Sequence, residues 1–93
     1  MSAEVENRIA VISIIIEELK NAGRINELLS ENAEHIIGRM GIPHRHRDLS
    51  IICIVLDAPM DVVSSLSGKI GMIDGVTSKT VTGKKSYKNQ KPF

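Results

Sequence analysis

Two histidines separated by a single residue form the first group in the sequence with the chemistry to bind a metal ion. His44 and His46 flank Arg45 and precede Arg47, and His35 lies earlier in the chain. In an extended segment, side chains at positions i and i+2 point the same way, so the two imidazoles could face one ion. Two nitrogens are too few for a complete site, and the arginines repel cations. The pattern favours a solvated basic turn without a cofactor, and a metal site completed by several subunits is the alternative.

The remaining reactive residues lack the spacing of a catalytic site. Cys53 lies among isoleucines, without a neighbouring base or cation to activate it, which predicts a small buried hydrophobic residue. The tripeptide Ser67-Gly68-Lys69 lacks the upstream glycine of a phosphate-binding loop. Asp57, Asp61 and Asp74 fall in separate turns and form no acid–base pair. The sequence therefore predicts a protein that is not an enzyme.

Three residues are candidates for ligand binding because of their place between two elements. Asn21, Ala22 and Gly23 stand where a predicted strand passes into a predicted helix. The first N–H groups of a helix have no partner within the helix and lie at its positive end. They are therefore suited to a carboxylate or another anion. An ordinary turn is the equally weighted alternative.

The apolar pattern predicts six elements that position these residues. They are a strand at 8–16, a helix at 22–32, a strand at 35–42, a strand at 49–56, a helix entered at 58–61 and ended by Gly71 as a left-handed cap, and a strand at 76–82. The two middle strands are predicted to form an antiparallel hairpin. The order βαββαβ predicts an α+β, ferredoxin-like fold, in which two helices cover one face of a four-stranded antiparallel sheet.

The ends of the chain have a different composition from its middle. Residues 1–7 are predicted to be a flexible N-terminus, and residues 8–83 form the predicted domain. Residues 84–93 contain Lys84, Lys85, Lys88 and Lys91 and almost no apolar side chains. This composition predicts a basic, disordered, solubilising tail. Non-specific binding of nucleic-acid phosphates is the alternative.

The apolar content exceeds what one sheet and two helices can bury. The chain has 93 residues and is 42% hydrophobic, with 14 isoleucines and only 2% aromatic residues. The predicted strands at 8–16 and 49–56 are apolar on both faces, although the helices cover only one. We therefore expect a homo-oligomer, either a dimer or a tetramer, that packs sheet against sheet or extends one sheet across subunits.

The cellular compartment follows from what the sequence lacks. The single cysteine excludes a disulfide within the chain, and no signal peptide or bilayer-spanning stretch is evident. These features predict a cytoplasmic protein without a membrane partner. The formal net charge of +1 points to no strongly charged partner.

Four segments together resemble one small bacterial family. They are Gly38-Arg39-Met40-Gly41-Ile42-Pro43, the strand at 51–57, Leu66-Ser67-Gly68-Lys69-Ile70-Gly71, and the segment from Gly75-Val76 to Lys79-Thr80. The chain is identified through them as similar to the iron-only hydrogenase system regulators, which are ACT-like single domains. The resemblance covers about residues 8–82.

The resemblance implies a regulatory, ligand-sensing module that is not an enzyme. ACT domains bind small ligands near the turn between the first strand and the first helix. By position, this points to Asn21, Ala22 and Gly23 as the residues that bind an effector. A regulatory protein is the other implied partner. The family signature itself has no assigned role, and it consists of Gly38, Arg39, Met40, Gly41, Ile42 and Pro43.

The same domain plan is similar to the C-terminal domain of nickel-responsive repressors. Gly41, Pro43 and Leu49 stand where the metal ligands of that family would fall, so its nickel site is not expected here. Only about seven residues precede the first predicted strand, which is too few for a ribbon-helix-helix segment. Sequence-specific DNA binding by this chain alone is therefore not expected.

Overall fold

The computed structural model describes residues 6–88, and they form a four-stranded sheet with two helices. In chain order the elements are strand β1 (Glu6–Ile16), a 3-10 helix (Leu19–Asn21), helix α1 (Ala22–Glu31), a 3-10 helix (Ala33–His35), strand β2 (Ile36–His44), a 3-10 helix (Arg45–Arg47), strand β3 (Leu49–Pro59), helix α2 (Met60–Gly71) and strand β4 (Val76–Lys88). The predicted βαββαβ fold is confirmed. Within the described residues, neither α1 nor α2 has the length and hydrophobicity of a membrane span.

All strand pairs in the sheet are antiparallel, in the order β2-β3-β1-β4. In the central pair, Ile12 stands opposite Ile54, and Val11 stands opposite Val55. Because residues paired across strands share a face, these two rows lie on opposite sides of the sheet. The predicted β2–β3 hairpin is present, and its connection contains Asp48 in a left-handed conformation, with φ 55°.

One face of the sheet packs against both helices, and we call it the covered face. Every residue of this core is at most 6% exposed. Its sheet residues are Ala10, Ile12, Ile14 and Ile16 of β1 with Ile52, Ile54, Leu56 and Ala58 of β3; its helix residues are Ile25, Leu28 and Leu29 of α1 with Val63, Leu66 and Ile70 of α2. The helical spacing of the apolar residues in α1 and α2 places each set on one side of its helix.

The other side of the sheet, which we call the open face, carries no covering element from the described chain. Its central residues are Val11, Ser13 and Ile15 of β1, Met40 and Ile42 of β2, Ile51, Cys53 and Val55 of β3, and Thr77, Lys79 and Val81 of β4. They are all half-buried or exposed. The excess of apolar side chains in the sequence is therefore located on one surface.

The structure differs from the predicted boundaries at both ends and at one helix cap. Strand β1 is described from Glu6, and β4 continues to Lys88, so residues 84–88 of the expected tail belong to a strand and residues 86–88 pair with β1. The remainder of the predicted tail, at 89–93, lies outside the described residues, as do residues 1–5 of the predicted N-terminus. Gly71 is the last helical residue of α2 rather than a left-handed cap, and the glycine with positive φ is Gly75.

Candidate functional site

The predicted ligand-binding turn is held by hydrogen bonds within the protein. The backbone N–H of Asn21 donates to the carbonyl oxygen of Glu18 at 2.9 Å, and that of Ala22 donates to Leu19. These bonds form because a 3-10 helix leads directly into α1, so the helical hydrogen bonding starts before Ala22. The N–H groups of Asn21 and Ala22 are thus already used within the chain.

The side chain of Asn21 ties this turn to the loop between α2 and β4. Its Nδ2 donates to the carbonyl oxygen of Asp74 at 2.6 Å. Next to this contact, the carbonyl oxygen of Gly75 accepts hydrogen bonds from the N–H groups of Glu17 at 2.7 Å and Glu18 at 3.3 Å. Three hydrogen bonds therefore join two segments that are more than 50 residues apart in the sequence.

Gly75 is the residue that permits this close approach. Its φ is +74°, and a Cβ placed on it would lie 2.6 Å from the Cβ of Glu18. A side chain at this position is disfavoured by the backbone conformation and by the lack of space. The sequence placed Asp74 in a turn, but the contact of this turn with the β1–α1 turn was missed because nothing local signals a partner so far along the chain.

Gly23, the second residue of α1, is the predicted ligand-binding residue that remains open to a ligand. Apart from its chain neighbours and the backbone of its own helix, no atom lies within 4 Å of where a Cβ would stand. It borders a shallow surface depression of about 650 Å³, lined by Gly23, Arg24, Asn26, Glu27, Ser30 and Glu31. Arg24 and Glu27 form an ion pair at 3.2 Å across it. Ligand binding at Asn21, Ala22 and Gly23 remains a prediction, and the available polar side chains belong to the exposed side of α1.

The signature strand connects this helix with the open face. In β2, the Nη2 atom of Arg39 donates to Oδ1 of Asn26 in α1 at 2.7 Å. The residues on either side of Gly41, Met40 and Ile42, face the other way and are 58% and 46% exposed. The signature thus has a structural contact at Arg39 and an exposed apolar surface at Met40 and Ile42. Asn26 had no distinguishing feature in the sequence.

The histidines lie at the two ends of β2 and do not converge. His35 precedes the strand, whereas His44 ends it and His46 lies in the 3-10 helix that follows. The rings of His44 and His46 are both exposed, with centroids 6.4 Å apart and an interplanar angle of 57°. Within residues 6–88, no group of three or more His, Cys, Asp or Glu side chains could hold a metal ion. The shared metal site remains an untested alternative.

The other candidate residues have structural contacts. Cys53 lies on the open face between Met40 and Ser13 and is half-buried, so it is less buried than expected. Ser67 Oγ lies 2.8 Å from Thr80 Oγ1, beneath helix α2.

The carboxylates of Asp57 and Asp61 are likewise hydrogen-bonded within the fold, whereas Asp74 takes part through its backbone carbonyl. Asp57 accepts a hydrogen bond from Nδ2 of Asn7 at 3.0 Å. Asp61 accepts one from the N–H of Val62 at 2.9 Å, in the first turn of α2. Asp74 lies in the turn that accepts the hydrogen bond from Asn21. These positions bring no two of the three carboxylates together as an acid–base pair.

The basic segment is part of the sheet as far as it is described. Nζ of Lys85 lies 5.3 Å from the centre of the Tyr87 ring, and Nε of Arg8 donates to Oγ of Ser86 at 3.2 Å. The first contact lies within β4, and the second joins β4 to β1. The nucleic-acid alternative for the lysines is not tested by them.

Comparisons with known proteins identify relatives of the whole described fold. A family model named TM1266-like, with the description iron-only hydrogenase system regulator, matches residues 8–80. The solved structure of the uncharacterized protein TM1266 from Thermotoga maritima is 39% identical in sequence. The alignment covers 85% of this chain and 100% of that chain, with a TM-score of 0.80. No curated protein sequence matches the chain. The family resemblance seen in the sequence is confirmed.

Proposed function

Since the chain belongs to the TM1266-like family of iron-only hydrogenase system regulators, we propose that it is a non-enzymatic regulatory module that assembles with copies of itself and binds a small effector. The assembly is a dimer or a tetramer. A change in effector binding shifts the equilibrium between assemblies or conformations, provided that the effector prefers one of them.

The observation that carries this proposal is the uneven covering of the sheet. The covered face packs against two helices, whereas the open face exposes Met40, Ile42, Ile15 and Val81 by 40% to 65%. Soluble monomers seldom expose such a continuous apolar surface, because removing it from water is favourable. Association with another copy is a direct way to bury it.

The proposed effector binds at the start of α1. The depression beside Gly23 presents the guanidinium of Arg24 together with the carboxylates of Glu27 and Glu31. A small molecule with charges of both signs, such as an amino acid, can pair with both kinds of group. Arg39 links α1 to β2, whose Met40 and Ile42 lie on the open face. Through this contact, effector binding at α1 can affect the position of β2 and therefore assembly at the open face.

Native mass spectrometry of protein purified from its own host tests the proposal. We expect a protein mass of two or four times 10.2 kDa, together with a bound small molecule that is lost on denaturation. The variant Glu27→Gln should retain the assembly but hold less of a ligand with charges of both signs. Ser64→Ala, an exposed change on α2, is the control. A monomer without a bound molecule would contradict the proposal.

A further inference from the structure

Resting on the proposed self-assembly, we infer that the second copy docks on the open face of the sheet, face against face, and does not extend the sheet at either edge. The assembly prediction left both arrangements possible. The structure distinguishes them through the composition of the open face and of the two edge strands, β2 and β4.

The centre of the open face is mostly apolar. Three rows of residues, each with one member from every strand, form its centre: Ile42-Ile51-Ile15-Thr77, Met40-Cys53-Ser13-Lys79 and Gly38-Val55-Val11-Val81. Lys79 is the only charged residue of these rows, and it stands at the β4 end of its row. Because most of the apolar side chains are β-branched, they lose little rotamer freedom when a partner covers them.

The size of the face suits a dimer interface. Strands of roughly ten residues, at about 3.3 Å per residue and about 4.8 Å between strands, give a four-stranded sheet about 600 Å² of projected area on each face. A standard protein–protein interface buries about 800 Å² per partner. The whole face, which consists of the apolar centre and more polar ends at His44 and Asp57, is therefore close to the required area, and no additional element is needed.

A second copy is the occupant that matches this chemistry. The three rows contain no acidic residue and one lysine, so a strongly charged partner would leave its own charges unpaired against apolar side chains. An isologous pairing places the same apolar surface on both sides of the interface. It also leaves the lysine at the rim, where it can stay in water.

The edge strand β2 resists the addition of another strand. Its ladder is interrupted by a bulge between Ile36 and Gly38, and Pro43 has no N–H to donate. Arg39 points to the helix side and holds Asn26. Bulges, prolines and inward-pointing charges are features that protect natural sheet edges from pairing.

The edge strand β4 is protected in a different way. It carries Lys79, Lys84, Lys85 and Lys88, and its pairing with β1 shifts register between Arg8 and Ala10. Pairing two copies of β4 would bring like charges together in a medium of lower dielectric than water. Both edges are therefore unfavourable for sheet extension, which leaves the open face.

Two exposed isoleucines at different places in the sheet allow a paired test. Ile15 lies on the open face and is 40% exposed, whereas Ile37 lies in the bulge of β2 and is 63% exposed. Native mass is measured over a range of protein concentrations for the wild type, Ile15→Glu and Ile37→Glu, with circular dichroism to verify folding. We expect Ile15→Glu to raise the dissociation constant by about tenfold or more, because burying an unpaired carboxylate is costly. Ile37→Glu should leave it unchanged.

The other outcomes separate this inference from the proposed function. If Ile37→Glu alone dissociates the assembly, or neither variant does, docking on the open face is disproved while self-assembly stands. If the wild type is monomeric at all concentrations, both are disproved.

A second measurement uses only the wild-type protein. It tests docking on the open face when the assemblies of both variants dissociate or when Ile15→Glu does not fold. Cys53 lies in the middle row of the open face and is half-buried in the single chain. Its alkylation by N-ethylmaleimide should slow in step with the increase in native mass as the protein concentration rises. A rate that stays constant while the mass increases would show that the copies meet elsewhere.

Discussion

The two faces of the sheet are built from similar residues but have different environments. On the covered face, Ile12, Ile14 and Ile54 have no exposed surface. On the open face, Val11 and Val55 are half-buried, and Ile15 is 40% exposed. The same strands supply both sets of side chains in alternation. The difference shows that the alternation of side chains divides the residues between two faces, whereas the helices decide which face becomes the core.

The largest expected effect comes from truncating one neighbouring residue on each face. Ile54→Ala should lower the free energy of unfolding by about 2–5 kcal/mol, because it removes fully buried methyl groups and leaves a cavity. Val55→Ala, on the adjacent residue, should lower it by about 1 kcal/mol or less at low protein concentration. Urea unfolding measures both changes. Equal losses would show that the open face is covered within the single chain.

A smaller effect is expected at the glycine that holds the β1–α1 turn to the α2–β4 loop. Gly75→Ala should destabilise the protein by about 1–3 kcal/mol, since the residue has positive φ and lies against Glu18. Gly38→Ala is the control on the open face, where a Cβ would meet Val55 at an ordinary 3.9 Å. Thermal unfolding of the two variants compares them. If the Gly75→Ala protein is as stable as Gly38→Ala, Gly75 is not required for the contact between the β1–α1 turn and the α2–β4 loop.

The loss of stability on replacing a serine by alanine should differ by about the value of one hydrogen bond between Ser67, which packs toward the covered face, and Ser13 on the open face. Ser67→Ala removes the partner of Thr80 beneath α2, and the expected loss is about 1 kcal/mol. Ser13→Ala changes an exposed hydroxyl on the open face, so the free energy of unfolding of the single chain should be nearly unchanged. If assembly uses the open face, the same variant should strengthen it. Chemical unfolding and native mass measure the two effects, and weaker assembly of Ser13→Ala would contradict the arrangement.

The smallest expected effect concerns the contact between the signature strand and α1. Arg39 and Asn26 are both exposed, so a double-mutant cycle with Arg39→Ala and Asn26→Ala should give a coupling of about 0.5 kcal/mol or less. The contact is of interest because it connects α1, beside the proposed effector site, with β2 and the open face. Amide hydrogen exchange in α1 should increase in Arg39→Ala and stay unchanged in Arg47→Ala. If amide hydrogen exchange in α1 is unchanged in both variants, the Arg39–Asn26 contact does not couple α1 to β2.

The fold was predictable because its signals are local. Ile25, Leu28 and Leu29 have the spacing of a helix that buries one side, and Ile52, Ile54 and Leu56 alternate as strand residues do. The candidate site was predicted only as a position in the chain. Asn21 looked like a residue with free N–H groups nearby, but its contact with Asp74 depends on a loop 53 residues away.

The sequence by itself determined the order of the elements, the grouping of side chains on two faces of the sheet and the family of the protein, because each depends on local spacing or on short motifs. Only the tertiary structure decided which face the helices cover, that β4 continues as far as Lys88 and what holds the β1–α1 turn. The segment at 84–88 shows the reason. Its composition is that of a disordered tail, but residues 86–88 pair with β1, and no local pattern reveals that partner.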